Sequence, residues 1–169
     1  LLNIQNKLYL TSFSTNLYLF ITFILGIINE APLPINAYLR GCTTPPCYLP
    51  QLTYLQIDVI FRAPRLLRNL RTLAIASVNF GIIIDVPYDL GPNAVTCNFL
   101  TNTYCPLLPE EVVRYNLDMF IESFFPEQTQ ATVEFRVVDE ANESLWCIRV
   151  PIRITSPLTG NSFNGTIEN

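Results

Sequence analysis

The sequence predicts an all-β fold, a β-sandwich built from about six strands. The first observation is a series of short stretches in which apolar and polar residues alternate, separated by turns rich in proline and glycine. The second is composition. Only 14% of the 169 residues are charged, against roughly a quarter in ordinary domains, and there are 13 prolines and 12% aromatic residues. This length suits one domain with a short extension.

The N-terminal region contains an apolar stretch at residues 17–28. It is shorter than the roughly 20 apolar residues that a membrane-spanning helix needs, and its length is typical of the core of a signal peptide. A signal anchor, a non-native N-terminus and a buried strand are the alternatives. We therefore assign residues 1–39 to a signal-like or non-native segment.

Five cysteines form two close pairs, Cys42 with Cys47 and Cys97 with Cys105, and leave Cys147 over. No C-x-x-C pair occurs, so a metal site is not expected. The two pairs predict short disulfide loops in a secreted protein. Asn142 and Asn164 begin N-x-S/T sequons, which predict glycosylation at both.

Three stretches in the middle of the chain have strand-like patterns. Residues 55–62 alternate and predict a strand with one apolar face. Residues 73–86 are almost continuously apolar, which predicts one buried strand or two that are broken at Gly81. Residues 109–125 fit both a strand and a helical stripe, and the pattern alone does not decide between them.

Four arginines recur every third residue, at Arg62, Arg65, Arg68 and Arg71. This spacing would place them on one side of a turn of 3₁₀- or α-helix, where they could bind anionic lipid headgroups or an acidic partner. The favoured alternative is a solvated loop whose arginines pair with acidic residues of the same chain.

The strongest pattern is a hairpin at residues 131–155, with a polar turn at 139–143. Its apolar face must be covered by a second sheet or by a ligand. The residues of that face are Val133, Phe135, Val137, Trp146, Ile148, Val150, Ile152 and Ile154.

Composition also excludes several functions. The net charge of −4 argues against nucleic-acid binding. The sequence has no histidine and a single lysine, Lys7, so histidine-assisted nucleophiles, histidine zinc sites and Schiff-base chemistry are not expected. Glu110 and Glu111 are adjacent and form no acid–base pair. We predict a protein that is not an enzyme and that has no cofactor or metal.

Several segments together resemble a known family. They are residues 42–47 (CTTPPC), the strand at 55–62, Val86-Pro87, Cys105-Pro106 and residues 142–152 (NESLWCIRVPI). Over residues 40–154 the chain resembles the ML (lipid-recognition) domain family, and within it the soluble Niemann-Pick type C proteins, relatives of the group-two mite allergens. The resemblance implies an immunoglobulin-like β-sandwich of two antiparallel sheets with a hydrophobic pocket between them. It also favours the strand at residues 112–121, and it sets the domain at 40–155 and a polar tail at 156–169.

The resemblance and the apolar strand faces together suggest which residues line the lipid pocket, although each of them is also an ordinary core residue by type. Several features depart from the family. No cysteine precedes Cys42 to pair with Cys147, the segment before Arg40 does not resemble the family's first strand, and Asp58 replaces a glycosylated asparagine. A second proline step after Val86-Pro87 is missing, and the second cysteine loop is longer. The candidate lipid-binding residues are Phe61, Phe80, Val86, Tyr88, Leu117, Met119, Ile121, Phe125, Val133, Phe135, Trp146 and Ile148.

The function that the resemblance implies is a secreted or lysosomal carrier of a sterol or fatty acid. It would act as a monomer and pass its ligand to membranes or a receptor, with a membrane sterol transporter or an anionic membrane surface as the partner. The alternative is an innate-immune module that recognises microbial lipids such as lipopolysaccharide through the arginine row.

Overall fold

The computed structural model describes residues 31–158. The apolar stretch at 17–28 and the sequon at Asn164 lie outside these residues. Eight strands make up the described fold, together with two short 3₁₀ turns at Gly91–Ala94 and Thr96–Phe99. The strands are β1 (Asn36–Leu39), β2 (Cys47–Pro50), β3 (Tyr54–Arg62), β4 (Leu70–Asn79), β5 (Ile83–Tyr88), β6 (Val112–Phe120), β7 (Gln130–Asp139) and β8 (Ser144–Thr155).

The strands form two sheets that pack face to face. The smaller has the order β1-β3-β6 and the larger the order β2-β8-β7-β4-β5. The predicted all-β sandwich is confirmed. Every pairing is antiparallel except β2 with β8, which is parallel. These two strands are far apart in the sequence, so no hairpin turn fixes their relative direction. Within residues 31–158, no helix is long and apolar enough to cross a membrane.

Two strand predictions are confirmed by burial. In β3, Leu55 and Phe61 are buried with the alternating residues between them, and their neighbours face water or the sheet edge. The ambiguous segment 109–125 contains β6, whose alternation buries Tyr115 and Leu117. A strand can hide every second side chain against the opposite sheet, which the helical interpretation would not allow here.

The apolar stretch 73–86 is divided between β4 and β5 by a turn at Gly81, whose φ of +92° only glycine adopts easily. The two-strand interpretation is therefore correct. The predicted burial is wrong for the second strand, because β5 is the outermost strand of the larger sheet and is mostly exposed. The smaller sheet has only three strands, so it does not extend far enough to cover β5 at the edge of the five-stranded sheet.

The predicted hairpin is β7 and β8, with a bulge between Val137 and Val138. Strand β8 lies inside the larger sheet, since β2 pairs with its second half and the Cys147 N–H donates to the Pro32 carbonyl oxygen, 3.1 Å away. With β1 in the smaller sheet and Leu39 fully buried, the sandwich begins upstream of the boundary at residue 40.

Both predicted disulfides are present, Cys42–Cys47 and Cys97–Cys105. Cys147 belongs to neither. It is buried on the outer face of β8, beside Glu134. Burial, followed by the nearby Glu134 carboxylate, raises the pKa of its thiol to about 11.

The arginine row does not form a helical turn. Arg62 ends β3, Arg71 lies in β4, and an irregular loop joins them. Arg62 pairs with Glu110 at 3.4 Å, and Arg65 forms ion pairs with Asp139 and Glu143. The favoured interpretation, that the arginines pair with acidic residues of the same chain, is thus confirmed for Arg62 and Arg65, although Arg62 lies in a strand and not in a loop.

The core lies between the two sheets and centres on Trp146. Its ring is 6.1 Å from that of Phe61 and 6.3 Å from that of Tyr115. The Tyr115 hydroxyl is buried but satisfied, because it lies 2.6 Å from the Thr72 hydroxyl, which in turn lies 2.8 Å from that of Thr96. A buried hydroxyl needs such partners.

Candidate functional site

Most of the predicted lipid-binding residues meet between the sheets. Aromatic and branched aliphatic side chains from β3, β6, β7 and β8 form a single apolar cluster. Within the cluster the side chains pack directly against one another, as in an ordinary sandwich core. The eight predicted residues found there are Phe61, Leu117, Met119, Ile121, Val133, Phe135, Trp146 and Ile148.

Three further predicted residues lie where this interior reaches the surface. The register pairs Val86 with Ala76 and Tyr88 with Ala74. Opposite residues share a face of the sheet, so the side chains of Val86 and Tyr88 lie on its inner face. Val86 is nonetheless 49% exposed, because no strand of the smaller sheet lies above it. Tyr88 and Phe125 are half-buried beside it.

Phe80 lies outside the interior. Strand β4 ends at Asn79, and Phe80 begins the turn, where its side chain is 75% exposed. The inward and outward alternation applies only within a strand, so it does not hold at the hairpin tip. Phe80 is therefore not among the side chains that the structure brings together.

The exposed inner face of β5 and the loop after β6 form a continuous apolar surface, which we call the open side. Its aromatic rings are in contact: the Tyr88 and Phe125 centroids are 5.8 Å apart, and those of Phe124 and Phe125 are 4.7 Å apart. Phe124 is 71% exposed. The open side consists of Ile84, Val86, Tyr88, Phe124 and Phe125.

Sequence reasoning missed Ile84 and Phe124 as site residues. Ile84 is two residues from Val86 and so shares its face, a relationship that was visible once the strand was placed. Phe124 lies in a loop that no periodicity describes.

Gln51 is also a residue that the sequence did not single out. Its buried side-chain amide donates to the carbonyl oxygen of Phe125 at 2.6 Å and to that of Ser123 at 3.1 Å. These two bonds hold the loop after β6 in place, because each satisfies a backbone acceptor that would otherwise lack a strand partner. Gln51 therefore positions one wall of the open side.

The hydroxyl of Tyr88 is the titratable group of the open side. Burial, then the carboxylates of Glu122 and Asp89, raises the pKa of Tyr88. Tyr88 consequently remains a neutral hydroxyl that donates to the Phe120 carbonyl oxygen at 3.1 Å. Among residues 31–158, no cluster of acidic or cysteine side chains could hold a metal ion.

A shallow depression of about 410 Å³ lies beside the open side. It is formed by β4, the end of β5 and the first 3₁₀ turn, and it shares Tyr88 and Leu90 with the edge of the core. Arg71 and Asp89 give it a mixed polar character.

The family model of the ML domain matches residues 28–154, most of the chain. The chain belongs to the ML domain family. The resemblance seen in the sequence is confirmed.

Two relatives show how distant the similarity is. The chain is 20% identical to the zebrafish (Danio rerio) NPC intracellular cholesterol transporter 2 over 122 residues, which cover 72% of this chain and 77% of the relative. It also resembles the crystal structure of a Niemann-Pick type C2 protein from the Japanese carpenter ant, with a TM-score of 0.64 and 17% identity. That match covers 75% of this chain and 94% of the ant protein. At such low identity the structural match establishes the fold alone.

Proposed function

We propose that this protein is a secreted or lysosomal carrier that binds a sterol or fatty acid between its two sheets and passes it to membranes or to a membrane transporter. The observation that supports this most is the open side. There the apolar interior continues along β5 to the surface, with Val86 about half exposed. Membership of a lipid-recognition family favours the same function.

The physical chemistry of the interior suits an apolar ligand. Burying apolar surface away from water is favourable by about 25 cal/mol per Å². A pocket that encloses most of a ligand therefore obtains this free energy over nearly all of the ligand's surface. The residues of the open side carry no charge, so the ligand is held by shape and apolar burial. The sheets must separate near Tyr88 and Phe125 to admit it, because the core side chains are packed together.

The exposed apolar residues at the tip between β4 and β5 support transfer of the ligand to a membrane. Phe80 and Ile82 are both strongly exposed there and extend the open side beyond the sheet. The arginine row is at the other end of β4, and ion pairs engage Arg62 and Arg65. The protein therefore contacts the acceptor membrane through apolar residues at the tip. Recognition of anionic microbial lipids by these arginines is the less favoured function.

We propose that the exposed Asn142, in the β7–β8 turn, carries a glycan on the side remote from Val86.

The proposal is tested by binding and by co-purified lipid. Organic extraction of the purified protein, followed by mass spectrometry, should identify a sterol or fatty acid, and the protein should take up fluorescent sterol or oleate. Val86→Glu should weaken uptake at least tenfold, since it places a charge where the ligand enters. Val112→Glu is the matched control, because Val112 is 43% exposed on the outer side of β6, and it should change the affinity less than twofold. Neither lipid nor uptake in the wild type, or equal effects of the two variants, would refute the proposal.

A further inference from the structure

Strand β5 is an edge strand with unusual surface chemistry. Its only ladder partner among the described strands is β4, so its other edge presents backbone donors and acceptors to the solvent. Exposed edges usually carry charged side chains, prolines, bulges or a cover that prevents further pairing, and of these devices β5 has Asp85 and, near its end, Pro87. Here Ile83 is 72% exposed on the outer face, and Ile84 is exposed on the inner face.

The backbone of β5 is suitable for receiving another strand. Proline in an edge strand has its nitrogen towards the free edge, where no hydrogen bond is lost. Because N–H directions alternate along a strand, the N–H groups of Ile83 and Asp85 point outward like the nitrogen of Pro87. Free backbone donors and acceptors, flanked by apolar side chains on both faces, call for a β-strand as the occupant.

We propose that β5 pairs antiparallel with β5 of a second copy of this chain, about a two-fold axis at Ile84, so that the protein forms a dimer and not the monomer expected from the family resemblance. In this register Ile84 lies opposite Ile84 of the second copy, and Ile83 lies opposite the second copy's Asp85. The outward-facing groups of Ile83 and Asp85 then exchange backbone hydrogen bonds, as an antiparallel pair requires. Val86 packs against the second copy's Ile82, and Pro87 lies beyond the paired residues.

Self-complementarity is the reason for choosing a second copy over another partner. The register places no carboxylate directly opposite its own equivalent, which would be destabilising. The Asp85 carboxylate already accepts a hydrogen bond from the Ser77 hydroxyl, 2.6 Å away. Like any isologous contact, this one buries the same apolar residues on both partners. It also brings the open sides of the two molecules next to each other, although pairing itself does not depend on lipid binding.

The first experiment measures association. Sedimentation velocity of the lipid-free protein over a hundredfold range of concentration should show a monomer–dimer equilibrium. Ile83→Lys adds the side chain that natural edges use against pairing, at an exposed position, and should weaken dimerisation at least tenfold. Leu108→Lys is the matched control, because Leu108 is 60% exposed in a loop away from β5, and it should leave the dimer unchanged. A monomer at every concentration, or a dimer that survives Ile83→Lys, overturns the proposal.

The second experiment tests the register. Opposite residues in an antiparallel pair have Cα atoms about 4.5–5.5 Å apart, within the range of a disulfide. Mild oxidation should therefore link two molecules of the Ile84→Cys variant. The matched Val86→Cys variant should remain unlinked, because each Val86 lies four positions along the strand from its equivalent. Equal linking of the two variants would refute the register. A wild-type monomer that instead floats with phosphatidylcholine vesicles would show that a bilayer, and not a second copy, covers this surface.

Discussion

The hydroxyl of Tyr88, at the end of β5, donates a hydrogen bond to the carbonyl oxygen of Phe120, at the end of β6, over 3.1 Å. The two residues belong to different sheets. Their bond therefore ties the larger sheet to the smaller one beside Phe125, where a ligand would have to part them. In the proposed function this bond acts as a lock on the open side, because it has to break before a lipid can enter the interior.

The first prediction concerns Tyr88→Phe. Loss of a hydrogen bond between neutral groups lowers the free energy of unfolding by about 0.5–1.5 kcal/mol, and the released sheets should admit lipid faster. Urea denaturation and stopped-flow uptake of a fluorescent fatty acid measure the two effects. Tyr54→Phe is the control, because Tyr54 is an exposed tyrosine whose ring contacts that of Phe120 in a tilted arrangement, with the centroids 5.1 Å apart. Slower or unchanged uptake in Tyr88→Phe would contradict the role of this bond as a lock.

The second prediction concerns the Arg65 guanidinium, which forms ion pairs with Asp139 and with Glu143, the latter at 2.5 Å. The Asp139 side chain is only 5% exposed. Arg65→Ala removes its charge partner and leaves the buried carboxylate unpaired, which should lower the free energy of unfolding. Arg68→Ala on the same loop should lower it far less. Equal midpoints in chemical denaturation for the two variants would disprove the importance of this contact.

The same ion pair predicts that the stability of the fold depends on pH in the acidic range. Burial alone would raise the pKa of Asp139, but the hydrogen bonds from Arg65 and from the backbone N–H groups of Glu143 and Ala141 prevail and lower it below the usual 3.8. A carboxyl with a lowered folded-state pKa stabilises the fold above its unfolded pKa, and this contribution is lost as the pH falls through the folded value. Arg65→Ala should therefore reduce the loss of stability seen below pH 4.

The elements that the sequence predicted well are those covered by the opposite sheet. In β3 and β6 one face is buried and the other is not, and in β7 and β8 the inward face is buried from Val133 to Val137 and from Trp146 to Ile154. Alternation therefore identifies the inward face of these strands directly. Phe135 and Trp146 could be assigned to the interior on that basis alone. Family resemblance added the strand identity of β6, which pattern had left open.

The parts that the sequence predicted poorly depend on contacts between distant residues. An apolar run shows that β5 is a strand, but it does not show that β5 is outermost and has no strand above it. Likewise, the spacing of Arg62 and Arg65 suggested a helical turn, whereas Arg65 is held by Asp139, which is 74 residues away. Gln51 was overlooked for the same reason, since the loop it supports is equally remote.

The fourth prediction concerns the Cys97–Cys105 disulfide, which closes a loop with a sequence separation of 8. In the chain-entropy model such a loop contributes about 2–3 kcal/mol. Replacing both cysteines by alanine should lower the free energy of unfolding by that amount and loosen the contact of Thr96 with Thr72, which borders the core. Calorimetry of the variant, compared with the wild type with and without reductant, checks this. A loss below 1 kcal/mol would show that the surrounding contacts hold the loop without the disulfide.

The last prediction concerns alkaline pH. Burial raises the pKa of Tyr115 from 10.0 to about 12, although its hydrogen bonds with Thr72 and Thr96 act in the other direction. The unfolded chain therefore loses this proton at lower pH than the folded protein does, and the contribution to stability, complete below pH 10, is lost as the pH rises to about 12. Two pKa units correspond to about 2–3 kcal/mol.

Tyr115→Phe separates this effect from others in the same range. Cys147 has a pKa raised to about 11 and also lowers stability in alkali, so the variant should retain part of the pH dependence. Urea midpoints between pH 8 and 11 should fall less steeply in Tyr115→Phe than in the wild type, although the variant is less stable at pH 8 because Thr72 loses a hydrogen-bond partner. Parallel curves for the two proteins would mean that Tyr115 ionises equally easily in the folded and unfolded states, and the buried hydroxyl network would then not be sealed from water.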